Sequence, residues 1–274
     1  MFKLLGATFI SYGLYVLYTG INAFAKGYGI LLLIQASVVS FVVLFVGGWF
    51  VRIHDEKMMY LKHKRVQSLA ESKTQEIPSN LVMYLRPFDS TNKYFINTDW
   101  MNVFSEYGLS YDASDDIEMF ISKSLERKYE FVALGKPGEH RGAGRILVNE
   151  NDWKEQVERL AKGSLFILII PSHKEGTLWE IEMIINNDLL DKTIFIIPPL
   201  NGVLYTCESN VEHLLRKKTQ EACEELGLRL PMTEQDGGMY KVVKKEGQDK
   251  LIKKPFPQLS IKQWRNTIID ISKL

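Results

Sequence analysis

The stretch Ser164–Ile197, SLFILIIPSHKEGTLWEIEMIINNDLLDKTIFII, decides the fold class. Its two ends, LFILII and IFII, are apolar at every position, the pattern of strands covered on both faces. The segment between them, Thr177–Leu190, has the length and composition of a helix. Strand, helix and strand in this order make a βαβ unit, whose strands lie parallel.

Outward from this unit the alternation continues. Strands are predicted at Leu81–Leu85, Glu130–Leu134, Ser164–Ile170 and Thr193–Ile197, and further helices at Asp115–Lys128, Asn151–Lys162 and Ser209–Leu226. Residues 79–274 therefore read as one α/β domain, a doubly wound, mainly parallel, flavodoxin-like sheet of four or five strands. The basic, turn-rich tail 237–257 (GGMYKVVKKEG, then KKPFP) reads as a hairpin. A closing helix, Ser260–Leu274, is expected to turn Trp264, Ile268 and Ile271 inward.

The first 53 residues have a different chemistry. They hold Lys3, Lys26 and Arg52 and no Asp or Glu. Leu4–Ala25 and Tyr28–Val51 are uncharged runs, each longer than the roughly 20 residues a helix needs to cross a hydrocarbon core. A cleavable signal fits poorly, because a second full-length run follows at once. A buried hairpin of a water-soluble fold fits less well still, since no acid occurs for over fifty residues. Two transmembrane helices in the lipid bilayer are the expectation. After the second run come Arg52, Lys57, Lys62, Lys64 and Arg65, against Lys26 alone in the turn. Positive charge stays inside, which predicts an inner-membrane protein with a cytoplasmic C-terminal domain. Tyr12, Tyr15, Tyr18, Tyr28 and Trp49 are candidate interfacial anchors, although some lie too deep for it. Gly47 and Gly48 would allow close helix contact. Residues 54–78, charged and helix-favouring, read as a stalk ended near Pro78.

Composition excludes some functions. Removing three from the 34 basic residues leaves 31 against 33 acids, so the remainder has no broad basic face and a nucleic-acid partner is not expected. Cys207 and Cys223 lack CxxC spacing and read as free thiols. The five histidines show no metal spacing. GxxxxGK[ST], GxGxxG and GxSxG are absent, which removes a Walker loop, a dinucleotide fingerprint and a nucleophile elbow.

In an open α/β sheet ligands bind beyond the carboxyl ends of the strands. The segments there are Arg86-Pro87-Phe88-Asp89, Gly135-Lys136-Pro137-Gly138 with Gly142-Ala143-Gly144-Arg145, Pro171 to Thr177, and Pro198-Pro199 with Asn201-Gly202. Thr177 is placed to cap a helix whose free N–H groups favour a phosphate, with Glu180 in its first turn. A carboxylate there can hold ribose hydroxyls or stabilise an oxocarbenium ion; it can equally be a plain first-turn acid stabilised by the helix dipole. Glu182 points elsewhere on the helix. Arg86 suits phosphate or a carboxylate, or else a salt bridge to Asp89 or a helix acid. Gly135, Lys136, Arg141 and Arg145 belong to a glycine-rich loop that either wraps a nucleotide or is only a surface turn. Trp100, Trp153 and Trp179 read as base-stacking or helix-packing side chains. His173 reads as an acid–base group or a solvated loop residue.

SLFILIIPSHKEGTLWEIEMI resembles the strand–loop–helix of the lonely-guy nucleotide-processing family and its SLOG relatives, whose signature is PGGxGTxxE. Pro171, Gly176, Thr177 and Glu180 match, whereas Ser172 and His173 replace the paired glycines and the loop is one residue longer. The stretch is also similar to the TIR fold, in which a serine loop precedes WxxE; Ser172, Trp179 and Glu182 match, and VMYLRPFDS, with Arg86 and Asp89, echoes the TIR opening. The wider pattern (LRPFD, ALGKPGE, GAGR, LWE) resembles a group of bacterial TIR-like proteins with N-terminal membrane helices. These resemblances imply a domain that acts on or senses NAD or a related nucleotide as substrate or ligand, with Glu180 or Glu182 catalytic if it cleaves an N-glycosidic bond. They further imply Arg86, Asp89, Gly135, Lys136, Arg145, Ser172, Gly176, Thr177 and Trp179 about the nucleotide, a homo-oligomer, and a role in bacterial defence or signalling. The alternative is a non-catalytic sensing or TIR–TIR interaction module coupled to the spans.

Overall fold

The computed structural model describes residues 2–71, 76–87, 94–97, 114–126, 128–135, 143–147, 152–199, 205–207, 212–245, 248–257 and 261–274. They fall into two units, one ending at Lys62 and the other beginning at His63.

The first unit is a helical hairpin, α1 (Phe2–Ala25) and α2 (Ile30–Glu71) as far as Lys62. Two stretches, Leu4–Ala25 and Ile30–His54, are long and apolar enough to cross a membrane. The contact face of α1 is made of glycines seven residues apart. A Cβ on Gly6 would lie 2.6 Å from Val51 Cγ2, one on Gly13 3.0 Å from Leu44 Cγ, and one on Gly20 would overlap Ala36 Cβ. Without side chains at these positions the backbones approach closely and gain dispersion contacts along the seam. Gly47 takes part in this contact, since a Cβ on it would lie 3.0 Å from Gly6 O, while Gly48 faces open space. The large apolar residues point outward: Leu31, Phe41 and Phe45 are each about two-thirds exposed (67%, 64% and 65%). That is the reverse of a water-soluble helix pair.

The second unit is built on a seven-stranded sheet. Its strands are β1 (Leu81–Leu85), β4 (Glu130–Gly135), β5 (Gly144–Leu147), β6 (Phe166–Ile169), β7 (Thr193–Ile197), β9 (Gly238–Lys245) and β10 (Gln248–Lys254), in the order β10-β9-β7-β6-β1-β4-β5. The five strands from β7 to β5 are parallel; β9 joins β7 antiparallel and pairs with β10. The sheet is thus wider than the four or five strands expected. The tail hairpin extends it on one edge, and β5, read from sequence as loop, extends it on the other. A second, three-stranded antiparallel sheet holds β2 (Tyr94–Asn97), β3 (Ser114–Asp116) and β8 (Tyr205–Cys207). Its strands come from the β1–α3 and β7–α6 connections, which leave the carboxyl edge of the large sheet.

Both faces of the large sheet are covered, which explains its uniformly apolar strands. Val82, Tyr84, Phe131, Leu168 and Ile194 face α3 (Ile117–Leu125) and α7 (Ile261–Ser272). Leu81, Met83, Leu85, Ile167 and Phe195 face α4 (Trp153–Gly163), α5 (Glu175–Asn186) and α6 (Glu212–Glu225). Trp264, Ile268 and Ile271 of α7 are fully buried, as the sequence predicts, with Trp264 between Phe120 and Phe256 at centroid distances of 5.7 and 5.2 Å. The end of α2 belongs to this unit: Val66 is buried in the core beside Gly144, and Arg65 pairs with Glu130 at 2.5 Å.

Candidate functional site

The β1–α3 and β6–α5 connections lie on opposite faces of the sheet, so the chain diverges at the carboxyl ends of the adjacent strands β1 and β6. That is where an open α/β sheet forms its ligand crevice. Arg86 follows β1, and Pro171 to Lys174 follow β6. The neighbouring end of β7 is closed. Arg216 donates to Pro198 O at 2.5 Å, and Gly237, with φ +58°, lies so near Ile197 and Pro198 that a Cβ would run into their backbone.

Arg86 is held in a buried ion pair. Its guanidinium meets the Glu118 carboxylate of α3 at 2.8 Å, with both side chains at least 95% buried (5% and 3% exposed). The other Glu118 oxygen accepts from the Ala143 N–H at 2.9 Å, which joins the start of β5 to α3. Of the two readings of Arg86, the salt bridge to a helix acid is the one seen. Glu118 escaped the sequence reading because a first-turn acid carries no signal of a partner 32 residues away.

Helix α5 begins earlier than expected. Lys174 is its N-cap and gives no side-chain cap, the first intrahelical bond runs from Leu178 N–H to Lys174 O at 2.9 Å, and Thr177 is a buried third residue rather than the cap. Gly176 lies within the first turn with open space where a Cβ would stand. Ser172 Oγ accepts from the Lys174 N–H at 3.3 Å and shapes the loop. Glu180 consequently sits in the second turn, 3% exposed, and its Oε2 has no hydrogen-bond partner. Burial pushes its carboxyl up to about 8, so it is protonated at neutral pH. Glu182, two residues on, is exposed. It lines a cleft of about 230 Å³ on the outer surface between α4 and α5, with Glu158, Trp179, Met183, Asn186 and Asn187. The two glutamates do not meet, as their spacing implies.

Trp179 packs edge-on against Trp153 at 4.8 Å, with Lys154 Nζ 5.2 Å from the Trp179 centroid. This contact joins α4 to α5. At the α5 N-terminus His173 titrates below its ordinary value, through partial burial first and then the positive charges of Lys174 and Lys218. The neutral imidazole and two ammonium groups therefore share one locality with the positive end of a helix. Gly135 ends β4 and Arg145 lies in β5. Asp89, Lys136, Trp100, His140, Arg141 and Asn201-Gly202 lie outside the described residues. Cys223 is a free, buried thiol pushed up to about 12 by burial, which makes it unreactive. Among the described residues no group of three or more His, Cys, Asp or Glu could hold a metal ion.

Comparison with protein-family models, with curated proteins and with solved structures gives no match to this chain.

Proposed function

We propose that this chain is a membrane-anchored, non-catalytic signalling module whose cytoplasmic α/β domain senses a nucleotide, NAD or a relative, at the carboxyl edge of its sheet. The observation that carries the proposal is the state of the two glutamates. An N-glycosidic bond breaks through an oxocarbenium ion, which an ionised carboxylate at the crevice would stabilise. Glu180 is inside the protein and neutral, and Glu182 is exposed but lines the outer α4–α5 cleft. What the edge does offer is positive: the α5 N-terminus with Lys174 and Lys218, suited to phosphate. The doubly wound reading of the domain is supported by its five parallel strands β5-β4-β1-β6-β7, which run 3-2-1-4-5 in chain order with β1 and β6 at the point of reversal; the flavodoxin-like order 2-1-3-4 is not the order of the full set. Anchoring is supported by the outward-facing apolar side chains of the hairpin, and cytoplasmic placement by the basic run after Ile53.

Nucleotide cleavage is the second reading, and Glu180 alone favours it: an unpartnered, protonated carboxyl is what a general acid requires. The two readings separate on full-length protein in bilayer nanodiscs, titrated with NAD while nicotinamide release and the unfolding temperature are followed. The sensing module shows a saturable rise in unfolding temperature, no nicotinamide, and loss of the rise in Lys174→Ala/Lys218→Ala. Nicotinamide release abolished in Glu180→Gln would establish the enzyme instead. Neither a shift nor turnover with NAD, ADP-ribose, ATP or GTP would remove both.

A further inference from the structure

The face of α1 turned away from α2 carries a stripe that a lone hairpin could not comfortably show to lipid. Ser11, Tyr12, Tyr15, Tyr18, Thr19 and Asn22 recur at intervals of three and four, and Thr8 continues the series toward the N-terminus. At about 100° per residue they fall within an arc of about 120°. The glycines that contact α2, at positions 6, 13 and 20, occupy the opposite side of the helix. Every residue of the stripe is exposed, the tyrosines at 56%, 63% and 65%. The apolar side chains of α2 are exposed as well, but they are suited to acyl chains and these are not.

Depth sharpens the point. The span Leu4–Ala25 has 22 residues, and Tyr12 and Tyr15 stand about 12 and 16 Å along it, near the middle of a hydrocarbon core about 30 Å thick. Tyrosines that anchor a helix sit at the headgroups instead. The hydroxyls of Thr8 and Thr19 are spent on Leu4 O (2.9 Å) and Val16 O (2.8 Å) of their own helix. Among the described residues no protein group hydrogen-bonds the side chains of Ser11, Tyr12, Tyr15, Tyr18 or Asn22. Hydroxyls and a carboxamide left unpaired in hydrocarbon are unfavourable, and only another protein surface at the same depth can pair them.

We infer that the stripe is the interface between copies of this chain, with α1 packed against α1 of a second copy and the two polar faces turned toward each other. The chemistry of the stripe selects that occupant. Every member of the stripe except the two spent threonines both donates and accepts, so the surface complements itself as a twofold contact requires. It has no charge that a partner of opposite sign would have to match. It runs the length of the span, which a second α1 equals by construction. The inference rests on the hairpin lying in a bilayer.

The test uses full-length protein in native vesicles, with single cysteines introduced at Ser11, Tyr15 and Thr19 on the stripe and at Ile21 beside it. The unaltered chain, carrying Cys207 and Cys223, sets the background. Flotation of the vesicles first shows whether the protein is membrane-bound; protein left at the bottom of the gradient ends the membrane reading itself, and this inference with it. In floating protein, oxidation is expected to give covalent dimer from Ser11→Cys, Tyr15→Cys and Thr19→Cys and background from Ile21→Cys. Tyr12→Phe/Tyr15→Phe/Tyr18→Phe keeps the size and raises the hydrophobicity of α1, so it stays inserted. It should nonetheless weaken self-association about threefold for each hydrogen bond lost, at least roughly 20-fold in all, because three hydroxyls leave each copy. Dimer from Ile21→Cys alone, equal dimer at all four sites, no dimer at any site, or self-association unchanged in the triple phenylalanine variant would each overturn the inference.

Discussion

Replacing Glu180 by Gln should make the α/β unit more stable above neutral pH and leave it unchanged in acid. The carboxyl is 3% exposed, lacks a partner on Oε2, and is held at about 8 against an ordinary value of 4.5. A carboxyl whose value is raised on folding binds its proton more tightly in the native state. Native stability is therefore greatest below pH 4.5 and falls as pH rises toward 8. At pH 7 the difference between 4.5 and 7 corresponds to roughly 3 kcal/mol of native stability lost relative to acid, at about 1.4 kcal/mol per unit. Glutamine is neutral at every pH and nearly the same shape. The two proteins should thus agree within about 1 kcal/mol at pH 5, where both side chains are neutral in the native state. They should diverge by roughly 3 kcal/mol at pH 7, which for a unit of this size is about 6–12 °C in unfolding temperature. Thermal unfolding of the full chain in a non-ionic detergent, followed by near-ultraviolet circular dichroism from pH 5 to 8.5, measures both. Parallel pH profiles for the two proteins would refute the reasoning, because they would mean that Glu180 is ionised and solvated in the native state.

Arg86→Met removes the cation paired with the buried Glu118 carboxylate and should destabilise the α/β unit by about 3–5 kcal/mol, whereas Arg86→Met/Glu118→Leu, which also takes the acceptor from the Ala143 N–H, should recover only part of the loss in the same unfolding measurement. Trp264→Ala, which empties a fully buried site between two phenylalanines, should lower stability by about 3–5 kcal/mol with little effect on membrane insertion. In the hairpin, Gly20→Val should push α1 from α2, seen as loss of an engineered disulfide between the two helices, and Ala36→Gly should partly restore it because the opposing methyl is removed.

Much of the α/β unit was legible because its elements are long, regular or doubly covered. β1 and β7 match the expected bounds, Leu81–Leu85 and Thr193–Ile197, since a wholly apolar run flanked by turn residues has few other readings. The 3–4 spacing of Trp264, Ile268 and Ile271 likewise fixes the buried face of α7. What was not legible depends on distant partners. β5 is four residues behind a glycine-rich loop, and β2, β3 and β8 are three or four residues each, with β2 paired to β8 across more than a hundred positions. Such strands exist because something pairs with them, not because of their own pattern. Thr177 misled because threonine before an apolar residue looks like a cap, while the actual cap, Lys174, uses no side chain and so leaves no mark in the sequence. The shift from first turn to second changes what Glu180 does, from exposed carboxylate to buried acid. In the hairpin, Gly47 was legible as a contact, but the seven-residue spacing of Gly6, Gly13 and Gly20 carried the stronger signal.

Coupling of the α/β unit to a membrane requires the hairpin to be solvated by lipid, and alkaline extraction of vesicles from cells making the full chain tests this most directly. The apolar surface of α1 and α2 predicts that the protein stays with the pelleted bilayer at pH 11, where peripheral proteins are stripped away. Recovery of folded, monomeric protein in the supernatant would contradict it.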